Sequence, residues 1–416
     1  MLLALCALAC LLPGGAGADE ARVRVFDEVW EQVRARYYDP GLRGVDWPAL
    51  GESLRPLAAR ARDEAEFYAV LRRLLGSLRD PHTRVFPPGE GADWRVQRFV
   101  SVGVSVRELG GELVVTGVAP DSEAERAGVR AGDAVSSVDG EPAAAVVARR
   151  LSEQPAADAS AARLLAVTRL FDGPRDSAVT VTFRRDPEGR ERVARLRREL
   201  FERAPELKVS RSDGVAVARF NIFTETVAVE FVRALRDEAK GARALVIDLR
   251  DNGGGETESM TDIASTLLPS GTPLGRFTGR DGRAVIEPRT RGLLLAAADV
   301  LVRFRGPVVV LTGPRTASAA EVFAASLKEA GRARVVGEAT CGCVLGIRRR
   351  HTLADGGVLD ISEMDYRTAG GARLEGAGVR PEEELAPTRQ DLRRGRDRAL
   401  ERAVEIAKAE ARRERG

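Results

Sequence analysis

The sequence predicts an α/β core with a mixed, largely parallel sheet, a β-rich module before it, and a helical region at the N-terminal end. Three observations carry this. Over residues 198–388, apolar runs such as "RALVIDLR" and "GPVVVLTG" alternate with helix-like runs such as "ETVAVEFVRALRDEA" and "SAAEVFAASLKEAG". Strand–helix alternation of that kind builds parallel sheets with helical cover. Residues 98–197 instead carry strand-like runs, "FVSVGVSVRE", "ELVVTGVAP" and "SAVTVTFRR", separated by turn signals. Residues 19–97 space their apolar side chains at helical intervals.

Residues 1–18, "MLLALCALACLLPGGAGA", hold no charge, and they are apolar through Leu12. Ala16-Gly17-Ala18 then gives a small-x-small cleavage pattern. The expectation is a secretory signal peptide and export to a periplasm or the exterior, although no Lys or Arg opens the segment. The run is too short to span a membrane. A membrane enters as a partner only if Cys10 is lipidated.

In the region 19–97, Val25, Val29, Trp30 and Val33 mark one helix, and Phe67, Val70, Leu71, Leu74 and Leu75 mark another. Pro81 and the Pro87-Pro88 pair end the pattern. In the region 98–197, a short helix closed by Gly128 precedes a strand and an Asp139-Gly140 hairpin turn. The run Ala127-Gly128-Val129-Arg130-Ala131-Gly132-Asp133 resembles that of a PDZ domain. The resemblance implies a peptide C-terminus bound as an added strand, its carboxylate held near Val102, Gly103 and Val104. The plainer alternative is a small β-domain without a ligand. Residues 389–416 read as a charged helical tail, either solvated or a packing helix, the solvated face being favoured by its charges.

Composition narrows the function. Among 416 residues, Lys+Arg number 65 against 62 for Asp+Glu, and a surplus of +3 gives no case for a nucleic-acid partner. The lysines are Lys208, Lys240, Lys328 and Lys408; the histidines are His82 and His351. Past residue 18 the cysteines are Cys341 and Cys343, so disulfides do not hold the fold together. That pair with His351 falls short of a four-ligand metal site, and no metal or other cofactor is implied.

Two motifs carry chemistry. In "VIDLRDNGGG", Val246–Gly255, a buried strand runs into Asn252 and three glycines. Glycines there let the backbone turn sharply and aim N–H groups into a cleft, where they can hold an oxyanion. In "TGPRTASAAEVFAASL", Thr312–Leu327, a strand ends and a helix begins near Ser318. A serine there gains from the helix dipole. Ser318-x-x-Glu321 is equally a capping box.

Together, the helical segment, the PDZ-like module, "DLRDNGGG", "TASAAE" and "GEATCGC" resemble, in that order, the C-terminal processing (tail-specific) serine peptidases. The resemblance covers about residues 25–388. It implies Ser318 as nucleophile and an oxyanion hole from Gly254 or Gly255 with Ala319. It implies an unstructured polypeptide with an exposed C-terminus as the substrate. Gly253 stands where the family carries proline. Many members use a Ser–Lys dyad, and Cys343 occupies the lysine position in Gly337-Glu338-Ala339-Thr340-Cys341-Gly342-Cys343. Lys328 lies about 15 Å along the helix from Ser318 at the helical rise.

Three readings stay open. A branch that resembles the tricorn-like and chlamydial-type proteases uses Ser–His–Glu. Its histidine corresponds to His82 in Asp80-Pro81-His82-Thr83, and its carboxylate to Glu375 in "LEGAGVRP". Such a set is chemically complete. Alternatively, the chain is an inactive homologue that binds polypeptide ends without cutting. In the third reading Cys343 itself reacts, as a base or as a redox switch with Cys341. His351, flanked by arginines, reads as surface structure. Oligomeric state is not legible.

Overall fold

The computed structural model describes residues 16–90, 95–153, 159–185, 189, 191–237, 239–292 and 303–414. They form two compact units, one of residues up to 92 with 347–363, the other of 93–346 with 364 onward.

In the first unit, three helices pack together: Ala16–Arg36, Trp47–Ala59 and Glu64–Gly76. Asp46 and Asp63 start the second and third by accepting the amides of Ala49 and Glu66, which satisfies N–H groups that a helix start leaves orphaned. Phe26, Val29, Trp47, Leu54, Leu71 and Leu74 form a buried core with Leu353, Leu359 and Ile361 from much later in the chain. A short strand, Arg84–Phe86, pairs antiparallel with Val358–Asp360. Residues 1–15 of the expected signal segment, Cys10 among them, lie outside the described residues. The first helix begins at Ala16 and runs through the expected cleavage point.

In the second unit, a six-stranded sheet has the order Leu207–Ser212, Val215–Phe220, Ala244–Asp248, Val308–Thr312, Ala333–Gly337, Glu383–Glu384. Its first pair is antiparallel and every later pair parallel. Parallel strands need crossovers, and apolar residues on both faces of each strand need cover. Leu245, Ile247, Val308 and Val310 are covered by the helices Glu225–Asp237, Thr257–Ser265 and Ala319–Glu329. Val246, Val309 and Leu311 are covered on the other face by the helix Arg398–Arg413.

That last helix is the packing helix of the two readings, against the favoured solvated tail. Its Ala399, Ala403, Ile406, Ala407 and Ala411 are buried on the sheet. Alanines recur there at helical spacing, but so weak an apolar stripe is hidden among arginines and glutamates.

A second sheet in this unit is antiparallel, ordered Val104–Leu109, Glu112–Val118, Ala134–Val138, Ala178–Arg184, Glu191–Arg197. Val106, Val115, Val135, Val181 and Phe183 fill its core. The hairpin at Asp139-Gly140 has φ of 49° and 81°, the left-handed pair that a two-residue type I′ turn requires.

Candidate active site

The fully buried strand Ala244–Asp248 delivers the chain to the glycine turn. Asp248 is buried and accepts two bonds from the Arg250 guanidinium, at 2.7 and 2.9 Å. Arg250 also bonds Asp397, the cap of the covering helix, at 2.7 and 2.8 Å. Burial alone would pull the guanidinium down, but the two carboxylates more than reverse it, so Arg250 stays charged.

Asn252 is completely buried and joins three segments. Its Nδ2 donates to the Phe220 carbonyl at 3.2 Å. Its Oδ1 accepts the Gly254 amide at 2.9 Å. Its carbonyl accepts the Ala317 amide at 3.1 Å. Gly254 has φ of +103°, and a Cβ there would stand 2.6 Å from the Ser318 Cβ and 2.9 Å from the Ala317 carbonyl. Only glycine fits against the serine turn.

Ser318 stands between the strand Val308–Thr312 and the helix Ala319–Glu329, with φ 56° and ψ −126°. That is a left-handed conformation costly for a residue with a side chain, and surroundings must enforce it. Sharp strand-to-helix turns of this kind present nucleophilic serines. The Ser318 amide donates to the Cys343 carbonyl at 2.7 Å and to Glu321 Oε2 at 3.2 Å. Ser318 and Glu321 pair as a capping box. The Glu321 amide goes to the Ser318 carbonyl at 2.9 Å.

Glu321 is the hub of this turn. It is fully buried and accepts from Thr340 Oγ1 at 2.5 Å, Gly342 N at 2.8 Å and Cys343 N at 2.8 Å, besides Ser318 N. Burial pushes its carboxyl up to about 7, against the pull of those four donors.

Cys341 and Cys343 form a disulfide, their Cα atoms 5.2 Å apart. The Cys341 amide donates to the Thr316 carbonyl at 3.0 Å, and the Gly342 carbonyl accepts the Gly376 amide at 2.8 Å. One residue on, Val344 N donates to Glu375 Oε2 at 3.0 Å. Ser318, Glu321, the disulfide and Glu375 thus meet in one network within the second unit. Arg107, from the antiparallel sheet, grips Glu338 at the start of this loop at 2.6 and 2.9 Å.

The amides expected to hold an oxyanion divide. Gly254 N is committed to Asn252. The amides of Gly255 and Ala319 donate to no protein group among the described residues. Gly103, expected to help hold a peptide carboxylate, likewise gives its amide to Ser101 Oγ at 3.1 Å, and Val102 and Val104 beside it are buried.

His82 belongs to the first unit. Its amide donates to Asp80 Oδ1 at 2.9 Å, and Thr83 Oγ1 to Asp80 Oδ2 at 2.6 Å, which fixes the turn. Its ring Nδ1 is buried without a hydrogen bond, 3.9 Å from Asp80. Burial pulls the imidazole below its usual value, opposed by Asp80, so the ring is neutral at neutral pH. His351 corrects an expectation: it is buried, 3.3 Å from Glu363. Burial lowers its pKa most, opposed by Glu363, and Arg36 and Arg349 lower it further. Arg348 and Arg349 just before it are exposed, and the burial begins at His351 itself.

Three of the four lysines are engaged elsewhere. Lys328 Nζ bonds the Arg380 carbonyl at 2.6 Å, Lys408 pairs with Asp213, and Lys208 with Glu206. What sequence reasoning missed is the central part of Asn252 and Glu321. Glu321 signalled only a cap, and Asn252 only the start of a turn.

Residues 214–385 match the family described as peptidase family S41, and residues 19–76 match the tricorn protease C1 domain. The chloroplastic C-terminal processing peptidase of Tetradesmus obliquus is 29% identical over 402 residues, covering 91% of this chain and 80% of that protein. The chain is a serine peptidase. The carboxyl-terminal-processing protease of Picosynechococcus is 27% identical over 399 residues, covering 91% of the peptidase and 88% of its relative. The solved photosystem II D1 C-terminal processing protease shares 25% identity with a TM-score of 0.57, covering 88% of this chain and 94% of that one. Mature CPAF, at 16% identity, shares the fold with a TM-score of 0.71 over 94% of this peptidase and 97% of that chain. No helix among the described residues is long and apolar enough to cross a membrane.

Proposed function

We propose that this serine peptidase is exported and cleaves unstructured polypeptides by acyl transfer with a Ser–His–Glu set. Ser318 Oγ attacks the scissile carbonyl and its proton passes to His82. The oxyanion is received by the amides of Gly255 and Ala319, Gly254 being held by Asn252. The tetrahedral intermediate collapses, the leaving amine takes the proton from His82, and water then releases the acyl group by the same route. Glu375 orients the imidazole. The antiparallel sheet serves as a PDZ-like carrier that takes the substrate C-terminus near Val102–Val104.

The observation that carries this reading is the backbone of Ser318. A serine held in a left-handed conformation at a helix start is expensive, and backbone strain of that kind clusters at functional sites. The neutral, buried ring of His82 supports its place as base, and the bond of Lys328 to the Arg380 carbonyl speaks against the lysine on the nucleophile's own helix.

The test is cleavage of an unfolded protein with an apolar C-terminus, run beside Ser318→Ala and His82→Ala. Loss of cleavage in both variants is expected. Absence of cleavage by the unaltered chain, with the peptide still bound, would leave an inactive homologue that binds polypeptide ends.

A further inference from the structure

The segment Thr340–Val344 bonds Thr316, Ser318, Glu321, Glu375 and Gly376. Its backbone supplies the Cys343 carbonyl to Ser318 N, the Gly342 and Cys343 amides to Glu321, the Gly342 carbonyl to Gly376, and Val344 N to Glu375. Two of the five residues are joined to each other through sulfur. Gly342, between them, has φ of +70°, and a Cβ there would press at 3.1 Å on the backbone of Gly376, Ala377 and Gly378. The Thr340 side chain bonds Glu321, and the backbone supplies the other hydrogen bonds. A three-residue backbone with a glycine at its centre is intrinsically free. The link between Cys341 and Cys343 removes that freedom.

We propose that the Cys341–Cys343 disulfide is a positioning element of the active site, and that its reduction by a dithiol switches the peptidase down. The inference rests on the serine-peptidase reading above and adds what holds Ser318 and Glu375 in register. In the step itself, a dithiol gives two electrons and two protons. The sulfur–sulfur bond breaks, Cys341 and Cys343 become thiols, and the dithiol closes to its own disulfide. Cys341 is partly exposed while Cys343 is buried, so the attacking thiolate enters at Cys341. With the link gone, the carbonyl of Cys343 and the amides of 342–344 lose their fixed aim, and Ser318 and Glu375 lose theirs with them. Misplacement of about 1 Å at a catalytic group costs on the order of 100-fold in rate.

The experiment treats the full chain with dithiothreitol until its free thiols rise and mass mapping shows residues 341 and 343 reduced. Amide hydrogen exchange and cleavage of an unfolded polypeptide are then read side by side. The expected result is exchange at least about tenfold faster in peptides covering 316–322 and 340–344, with the first-unit helices unchanged. Alongside it, kcat should fall about 10- to 100-fold with KM within about threefold, and reoxidation should restore both. A Cys341→Ser/Cys343→Ser double variant is expected to match the reduced protein and to ignore dithiothreitol. Unchanged exchange, or unchanged kcat, in protein whose 341–343 link is verifiably open would overturn the inference while leaving the peptidase reading intact. If the oxidised chain never cleaves, the peptidase reading fails, and the exchange arm alone decides whether the disulfide positions Ser318.

Discussion

The turn that carries Ser318 and the turn that carries His82 are built on opposite principles. Around Ser318, partners arrive from Asn252, Glu321, Cys343 and, through Val344, Glu375, which stand far apart in sequence. Around His82, Asp80 accepts from the residue two positions on and from Thr83, and a single distant segment adds the Ser362 amide, which donates to Thr83 Oγ1 at 3.1 Å. The nucleophile needs a strained backbone, and strain persists only where many segments enforce it. The base needs a neutral ring, which burial supplies without any strained conformation. One side of the reaction thus rests on many converging segments, and the other on a short motif backed by one distant strand.

The largest effects separate the two turns by activity. Ser318→Ala is expected to lower kcat by roughly 10³- to 10⁶-fold, and His82→Ala by about 10²- to 10⁴-fold, with unfolding temperatures little changed. A histidine variant that cuts at the full rate would remove His82 from the reaction and leave only half the comparison.

Next comes stability on the nucleophile side. Arg250→Met removes two hydrogen bonds from buried Asp248, leaves it only the Arg219 guanidinium at 3.8 Å, and is expected to cost about 3 kcal/mol in urea unfolding. A loss under about 1 kcal/mol would mean that the glycine turn does not lean on this ion pair.

Glu321 gives a pH signature. Its carboxyl rises from an ordinary 4.5 to about 7 on folding, so the native state holds the proton longer than the unfolded chain. Its contribution is therefore greatest below about 4.5 and is lost as pH rises through about 7, on the order of 3 kcal/mol in all. The difference in unfolding free energy between the unaltered chain and Glu321→Gln should change by that amount between pH 4.5 and 8. A constant difference would show that Glu321 is ionised throughout.

A smaller effect tests the local turn. Asp80→Ala removes the acceptor of two hydrogen bonds and should cost about 1–3 kcal/mol. It should slow cleavage without altering exchange at 316–322. The smallest effect has the opposite sign. Ser318→Gly, though inactive, should gain about 1 kcal/mol because glycine accepts the left-handed backbone.

This contrast also sets what could be read in the sequence. The Asp80–Thr83 turn, the Gly253–Gly255 run and the serine before a helix are contiguous motifs, and each announced itself. The alternation of strands and helices over 198–388 did the same for the core sheet. Glu321 could be read only as a cap, because its other donors come from 340–343, and their proximity depends on the pairing of Val308–Thr312 with Ala333–Gly337. The helix Arg398–Arg413 was hidden for another reason: alanine buries too little surface to stand out among charges. His351 was misplaced because its arginine neighbours face out while its own side chain faces in.

The most direct measurement is covalent labelling of the oxidised full chain with a fluorophosphonate, followed by mass mapping of the adduct. A single adduct on Ser318, absent in Ser318→Ala and strongly slowed in His82→Ala, is the result the account predicts. An unlabelled Ser318 in folded, oxidised protein, or an adduct on another residue, would contradict it.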